Sequence, residues 1–186
     1  METLSYQDVN RHVIDRCRNG ENRAQYELYK LYSKAMFNVC MRITNDYAEA
    51  EDVLQEAFIS AFKNLHTYKA EASFGSWLKK IVVNAAINAI RRRRAELVPI
   101  DERLAGEIAD EQGYDDDTEW QADKVRRAIQ KLPDGYRVVL SLYLLEGYDH
   151  AEIGEVLDIT ESTSKSQYSR AKKKLIELMR EPLLVA

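Results

Sequence analysis

The sequence predicts an all-α fold of two small helical domains joined by an acidic linker, and three observations carry that expectation. Apolar residues recur at helical spacing almost everywhere, and no run alternates apolar and polar residues as a half-buried strand would. Residues 101–119 hold nine acidic residues against Arg103 alone, with little apolar pattern, as a solvated tether would. Seven Gly and three Pro in 186 residues exclude a collagen-like or Pro/Gly-rich disordered chain, while 45% apolar residues suffice for packed cores. The expected boundaries are a helical bundle over 1–96, the linker over 97–118, and a four-helix domain with a helix-turn-helix over 119–186.

The first short helix carries Val9, Val13, Ile14 and Cys17 and stops at Gly20. The second buries Leu28, Leu31, Tyr32, Ala35, Met36, Val39, Cys40 and Ile43. A third stripe runs through Ala50, Val53, Leu54, Ala57, Phe58, Ala61, Phe62 and Leu65. Asn45-Asp46 caps it, with Glu49 three positions on. The fourth opens near Ser76, buries Trp77, Leu78, Ile81, Val82, Ala85 and Ala89, and ends near Arg94.

After the acidic block a helix begins at about Trp120, with Val125, Ala128, Ile129 and Leu132 on one stripe. Leu132-Pro133-Asp134-Gly135 is a turn signal. Residues 136–145 are densely apolar and stop at Gly147. Two helices follow, about 150–157 and 161–180. Their spacing is that of a helix-turn-helix, with Asp158-Ile159-Thr160 as the turn, Ile153, Val156 and Leu157 inward, and Ala151 kept small under the crossing helix. On the last helix Tyr168, Ala171, Leu175 and Leu178 continue the apolar stripe. Ser162, Lys165, Ser166, Ser169, Arg170 and Lys173 are left outward, a set suited to a major groove.

Net charge is −4, from 27 basic and 31 acidic residues, which as an average argues against a phosphate-rich partner. The charge is segregated, however. Residues 63–94 carry eight basic residues against Glu71, a net +7, and residues 162–181 carry six against two, a net +4. Two local cationic surfaces are what phosphate contact requires. A solvated helix end is the plainer account of Arg91, Arg92, Arg93 and Arg94 taken alone.

Enzymatic readings find no support. His12, His66 and His150 are scattered, and Cys17 and Cys40 form no CxxC pair. No H-E-x-x-H, P-loop or G-x-S-x-G pattern occurs. We therefore expect no catalytic residue, metal, cofactor or small-molecule substrate. The start lacks a basic and apolar leader, and the apolar stretch 81–90 is too short to span a bilayer. A cytoplasmic chain with no membrane insertion is expected.

Three motifs in order resemble one family. Asp46-Tyr47-Ala48-Glu49-Ala50-Glu51-Asp52-Val53-Leu54-Gln55-Glu56-Ala57-Phe58 looks like the polymerase-binding helix of the sigma-70 family. Phe74-Gly75-Ser76-Trp77-Leu78-Lys79-Lys80-Ile81, followed by Asn84, Asn88 and Arg91, resembles its promoter-melting segment. Leu132-Pro133-Asp134-Gly135-Tyr136-Arg137 and the helix-turn-helix resemble its upstream-element domain. With only these two domains the chain resembles the extracytoplasmic-function group.

The resemblance implies that Glu49, Asp52, Gln55 and Glu56 grip the largest subunits of bacterial core RNA polymerase. It implies that the loop 66–73 accepts a flipped base of the minus-ten element of promoter DNA, with Asn84 nearby. The candidate contacts there are Tyr68, Lys69, Phe74, Lys80, Asn84, Asn88 and Arg91. Asn side chains offer both donors and acceptors, and Tyr68 and Phe74 are candidates to stack on an unstacked base; Trp77 reads as core. For the minus-thirty-five element the candidates are Ser162, Thr163, Lys165, Ser166, Ser169, Arg170 and Lys173.

An anti-sigma factor is a further implied partner, and the linker is implied to follow the polymerase channel that carries RNA. Three departures stand out. Asp158 replaces a small turn residue, which Asp tolerates in a left-handed conformation. Ser164 leaves a poorer inner contact than an aliphatic residue, and Gln167 removes a phosphate clamp. The reading left beside this one is a stand-alone helix-turn-helix regulator with an N-terminal sensing or dimerisation bundle.

Overall fold

Helix boundaries follow from capping chemistry. The computed structural model describes residues 10–96 and 117–180; among them every regular element is helical. Helix α1 (Arg11–Arg18) ends at Asn19, and α2 (Asn22–Thr44) ends at Asn45 in the left-handed conformation (φ 57°). The expected first-helix position Val9 lies outside the described residues. The Asp46 carboxylate then accepts the Glu49 N–H at 2.8 Å and starts α3 (Tyr47–Lys63). A 3₁₀ turn (Leu65–Thr67) leads to the loop 68–73. Helix α4 (Phe74–Glu96) opens two residues before the expected Ser76, because the Ser73 hydroxyl accepts the Ser76 N–H at 3.1 Å.

Helices α2, α3 and α4 pack against one another, and α1 packs on α2. Ala24, Ala50, Ala57, Ala61 and Ala86 are fully buried where these helices meet, so backbones approach closely. Two expected stripes need correction. In α2, Leu31 is 54% exposed and Ala35 is exposed; the buried set is Ala24, Leu28, Met36, Val39, Cys40 and Ile43. In α4, Trp77, Ile81 and Ala85 are half-buried, while Phe74, Leu78, Val82, Val83, Ala86, Ile87, Ala89 and Ile90 are buried. A helix enclosed by two neighbours buries a wide face, which a single 3.6-residue stripe understates.

The chain divides into two compact units, 1–96 and 97–186. In the second, α5 (Asp117–Gln130) starts two residues inside the expected linker; the rest of that linker lies outside the described residues. Helix α6 (Asp134–Ser141) runs into a π-helical turn (Leu142–Glu146) that Gly147 ends at φ 80°. Helices α7 (His150–Leu157) and α8 (Glu161–Arg180) have the bounds expected from sequence. Asp149 and Glu152 form a reciprocal capping box on α7. Helix α8 is the spine, touching α5, α6 and α7, and its Ala171 closes a cluster with Leu132 and Leu140.

The buried charge of Arg137 is paired within its own turn. Arg137, 2% exposed, donates to the Leu132 carbonyl at 3.2 Å and to Asp134 Oδ1 at 2.7 Å, stapling the turn before α6. Asp158 adopts the left-handed conformation expected of it (φ 58°). The position that must stay small is Gly154 rather than Ala151, which is exposed. A Cβ on Gly154 would lie 2.8 Å from the Ile159 carbonyl oxygen.

Candidate functional site

Three surfaces hold the candidate residues. The first is the outer flank of α3. Asp52, Gln55 and Glu56 are exposed and Glu49 is half-buried, so the i, i+3, i+4 spacing does place them on one flank. Two of these carboxylates already have partners on α4: Glu56 pairs with Arg92 at 3.2 Å, and Glu49 with Arg93 at 3.0 Å. Arg93 also donates to the Thr44 carbonyl at 3.3 Å, tying the end of α4 to the α2–α3 junction. The sequence pattern assigns the arginine run outward as a unit. In the structure, part of that charge neutralises the acidic flank instead.

Beside this flank a shallow groove runs between α2 and α3, lined among others by Tyr29, Lys34, Phe37, Tyr47 and Gln55. The Glu51 carboxylate, by charge and by hydrogen bonding, pushes the Tyr47 phenol above its usual value. Tyr26, Tyr47 and Ile59 are each more than half exposed, so α2 and α3 present apolar surface next to the carboxylates. A search for buried stripes passes over such residues: in α3, Tyr47 lies at the edge of the stripe and Ile59 on the side away from it.

The second surface is the loop 68–73 with the polar face of α4. Lys80, Asn84, Asn88 and Arg91 are all exposed along that face, opposite the buried Val82, Val83, Ala86 and Ile90. Lys69 is exposed on the loop. Tyr68 and Phe74 are not base platforms: they are 5% and 0% exposed, which corrects the stacking role expected of them. The Tyr68 hydroxyl donates to the Ala72 carbonyl at 2.8 Å, and Phe74 packs edge-on against Tyr68 and Tyr32. Burying two such rings stabilises the loop base by a few kcal/mol, more than an open stacking position would gain. Trp77, half-buried against both rings, keeps some accessible surface. Only its exposure distinguishes it, and helical spacing alone does not reveal that.

The third surface is the first half of α8. Ser162, Lys165, Ser166, Ser169, Arg170 and Lys173 are exposed as expected. Thr163 is half-buried and committed locally: its N–H donates to the Thr160 hydroxyl at 3.0 Å, and the two hydroxyls lie 2.8 Å apart. Lys165 pairs with Glu161 at 2.6 Å. Ser164 is not a poor contact. Fully buried, its hydroxyl meets His150 Nδ1 at 2.9 Å, and the His150 ring stacks on Tyr143 with centroids 4.5 Å apart. Among the described residues, no three His, Cys, Asp or Glu side chains come together as a metal site, and no helix is long and apolar enough to cross a membrane.

Comparison with known proteins matches both helical units to one family. Residues 28–96 match the family model described as Sigma-70 region 2, and residues 122–175 the model described as Sigma-70, region 4. The chain is 30% identical over 190 residues to the RNA polymerase sigma-H factor of Pseudomonas aeruginosa, covering 96% of this chain and 97% of that one. It is 29% identical over 183 residues to the ECF RNA polymerase sigma factor SigW of Bacillus subtilis, covering 90% and 95%. Among solved structures, CnrH in complex with the cytosolic domain of CnrY superposes with a TM-score of 0.54 at 22% identity, covering 92% of this chain and 97% of that one. The sigma factor RpoE of Bartonella quintana, solved with the anti-sigma factor NepR, gives 0.55 at 18% identity, covering 84% and 97%. At those identities the two structures speak for the fold.

Proposed function

The chain belongs to the extracytoplasmic-function group of the sigma-70 family, a sigma factor directing promoter-specific initiation by core RNA polymerase, and on that premise we propose how its two units divide the work. Residues 1–96 bind the largest polymerase subunits through Glu49, Asp52, Gln55 and Glu56, with the aromatic groove beside them. The same unit reads and melts the minus-ten element. Lys69 and the α4 face contact the backbone and base edges, and the loop 68–73 accepts an unpaired base. Residues 119–186 dock α8 in the major groove of the minus-thirty-five element. There Lys165, Arg170 and Lys173 supply phosphate contacts, and Ser162, Ser166 and Ser169 face base edges.

The observation that carries this reading is the α4 ladder: Lys80, Asn84, Asn88 and Arg91 exposed in register, starting beside a loop closed by its own hydrogen bonds. Cations flank amides there that are able to read base edges. The chain works by binding and does no covalent chemistry, and it acts in the cytoplasm, where its polymerase is. Because CnrH and RpoE were each solved with a bound partner, we also assign this chain an anti-sigma partner.

Mixing the purified chain with bacterial core polymerase tests the reading. Promoter-specific transcripts should appear only with both present. Replacing Asp52 and Glu56 together by Ala should abolish core binding while helix content stays intact. Sequence-specific duplex binding by the chain alone, with no affinity for core, would instead favour the stand-alone regulator.

A further inference from the structure

Helix α1 lies before the segment matched by the family model, which begins at residue 28. Its last residue is Arg18, and one guanidinium there holds three things at once. Nη2 donates to the Tyr68 carbonyl. The guanidinium carbon lies 5.7 Å over the Tyr68 ring. Nη1 pairs with Asp15 Oδ1, one turn back, at 3.3 Å. A planar guanidinium with its forks engaged has little freedom left to turn.

What Arg18 holds is the base of the loop 68–73. Within that loop Ala70 takes the left-handed conformation at φ 58°, which is strained for a residue carrying a Cβ. A residue so placed persists only where its surroundings over-determine it. Those surroundings include the Tyr68 hydroxyl bonded across the loop to Ala72, and Arg18 bonded to the Tyr68 carbonyl. Arg11, Arg18 and Lys69 then flank a cleft between α1 and the loop, with Ala70 on its wall. Its rim sets those three cations against the Asp15 carboxylate, which pairs with Arg11 and Arg18, so a net positive charge remains for a nucleotide's phosphate, and its wall is the strained part of the loop.

We propose that Arg18 is a positioning residue for minus-ten recognition. It fixes the loop 68–73 in the shape that accepts an unpaired base, and it thereby makes α1 part of the promoter-reading apparatus. This rests on the reading of that loop as the base acceptor. A guanidinium serving only as a packing staple would change stability and leave base preference alone. A guanidinium that shapes the receptor changes preference.

The experiment uses holoenzyme reconstituted from core polymerase and the full chain. A promoter selected by the wild-type holoenzyme from a randomised library is the probe, with every single-base change made in its minus-ten and minus-thirty-five elements. Open-complex formation is measured for the wild type, Arg18→Ala, Arg18→Lys, and a chain whose residues 69–72 are replaced by glycine. Arg18→Ala should lower discrimination at the loop-read base about tenfold, the lower end of the scale of one hydrogen bond to a charged group. Discrimination at the minus-thirty-five element and affinity for core should not move. Arg18→Lys, which keeps a donor but loses the planar fork, should fall between. If the glycine loop loses discrimination while Arg18→Ala keeps it, the role of Arg18 is overturned. If the glycine loop also keeps it, the base-accepting loop itself is overturned. Should the alanine variant fail to fold, Arg18→Lys decides in its place, and wild-type discrimination in it overturns the proposal.

Discussion

Single residues show most directly where spacing informs and where it misleads. Asp158 is legible because αL tolerance is a property of Asp itself. Tyr68 and Phe74 are not, because an aromatic beside a polar loop looks the same whether it faces solvent or the core. Spacing assigns the small-residue requirement to Ala151, yet the Ile159 carbonyl crosses over Gly154. Gly154→Ala therefore sets a helix-propensity gain of about 1 kcal/mol against a backbone contact that cannot yield. The contact wins, and overpacking of this kind costs roughly 1–3 kcal/mol, measurable as a lowered urea midpoint for the second unit. Ser164→Ala should cost about 1 kcal/mol by stranding His150 Nδ1. A double-mutant cycle with His150→Ala should be non-additive. Cys17 and Cys40 make a third prediction. Burial pushes their thiols up to about 11 and about 12, from an ordinary value of 9.0. Below about pH 9 both states keep the proton and stability is unaffected. As pH rises further the unfolded thiols ionise first, so stability should fall progressively toward the folded values. Ellman's reagent should accordingly react with neither thiol at about pH 8 until the chain unfolds.

At the scale of elements, legibility tracks capping. Helices α3, α7 and α8 begin where a side-chain cap is written in the sequence, at Asp46, Asp149 and Thr160, and their starts match expectation to within a residue or two. Helix α4 is less legible, because its boundary depends on Ser73 and its buried face on two neighbours at once. Its arginine run shows why local charge alone does not assign a surface. Arg93 reaches from α4 to Glu49 on α3 and to the last carbonyl of α2, so three helices meet at one guanidinium. Arg93→Ala should destabilise the first unit by about 1–2 kcal/mol, because a partly buried carboxylate and the Thr44 carbonyl would each lose a charged donor. Arg92→Ala should be nearly neutral, since the Arg92–Glu56 pair is more than half exposed on both sides. Thermal unfolding of the two variants side by side checks the contrast, and equal losses would count against Arg93 as the junction of these helices.

For the whole molecule, the informative quantity is how the charge of −4 is laid along the chain. Lys80 and Arg91 on α4 and the exposed cations of α8 belong to surfaces proposed for DNA. The acidic residues ahead of α5 belong to the linker, which the family resemblance implies follows a cationic polymerase channel. These assignments predict different salt responses. Replacing Lys165, Arg170 and Lys173 by Gln should weaken holoenzyme binding to promoter DNA. The slope of log K against log salt should become shallower, by about 0.9 for each phosphate no longer neutralised. Neutralising Asp115, Asp116 and Asp117 as Asn leaves the DNA-facing cations intact, so that slope should stay as it is. Transcript yield should fall instead, because the attraction that seats the linker in polymerase is weakened while promoter affinity is kept. A linker variant with undiminished initiation would mean that the acidic block is a solvated tether. A variant with a changed salt slope would mean that it acts on the DNA-binding surfaces themselves, by screening them when polymerase is absent or repelling phosphate when it is present.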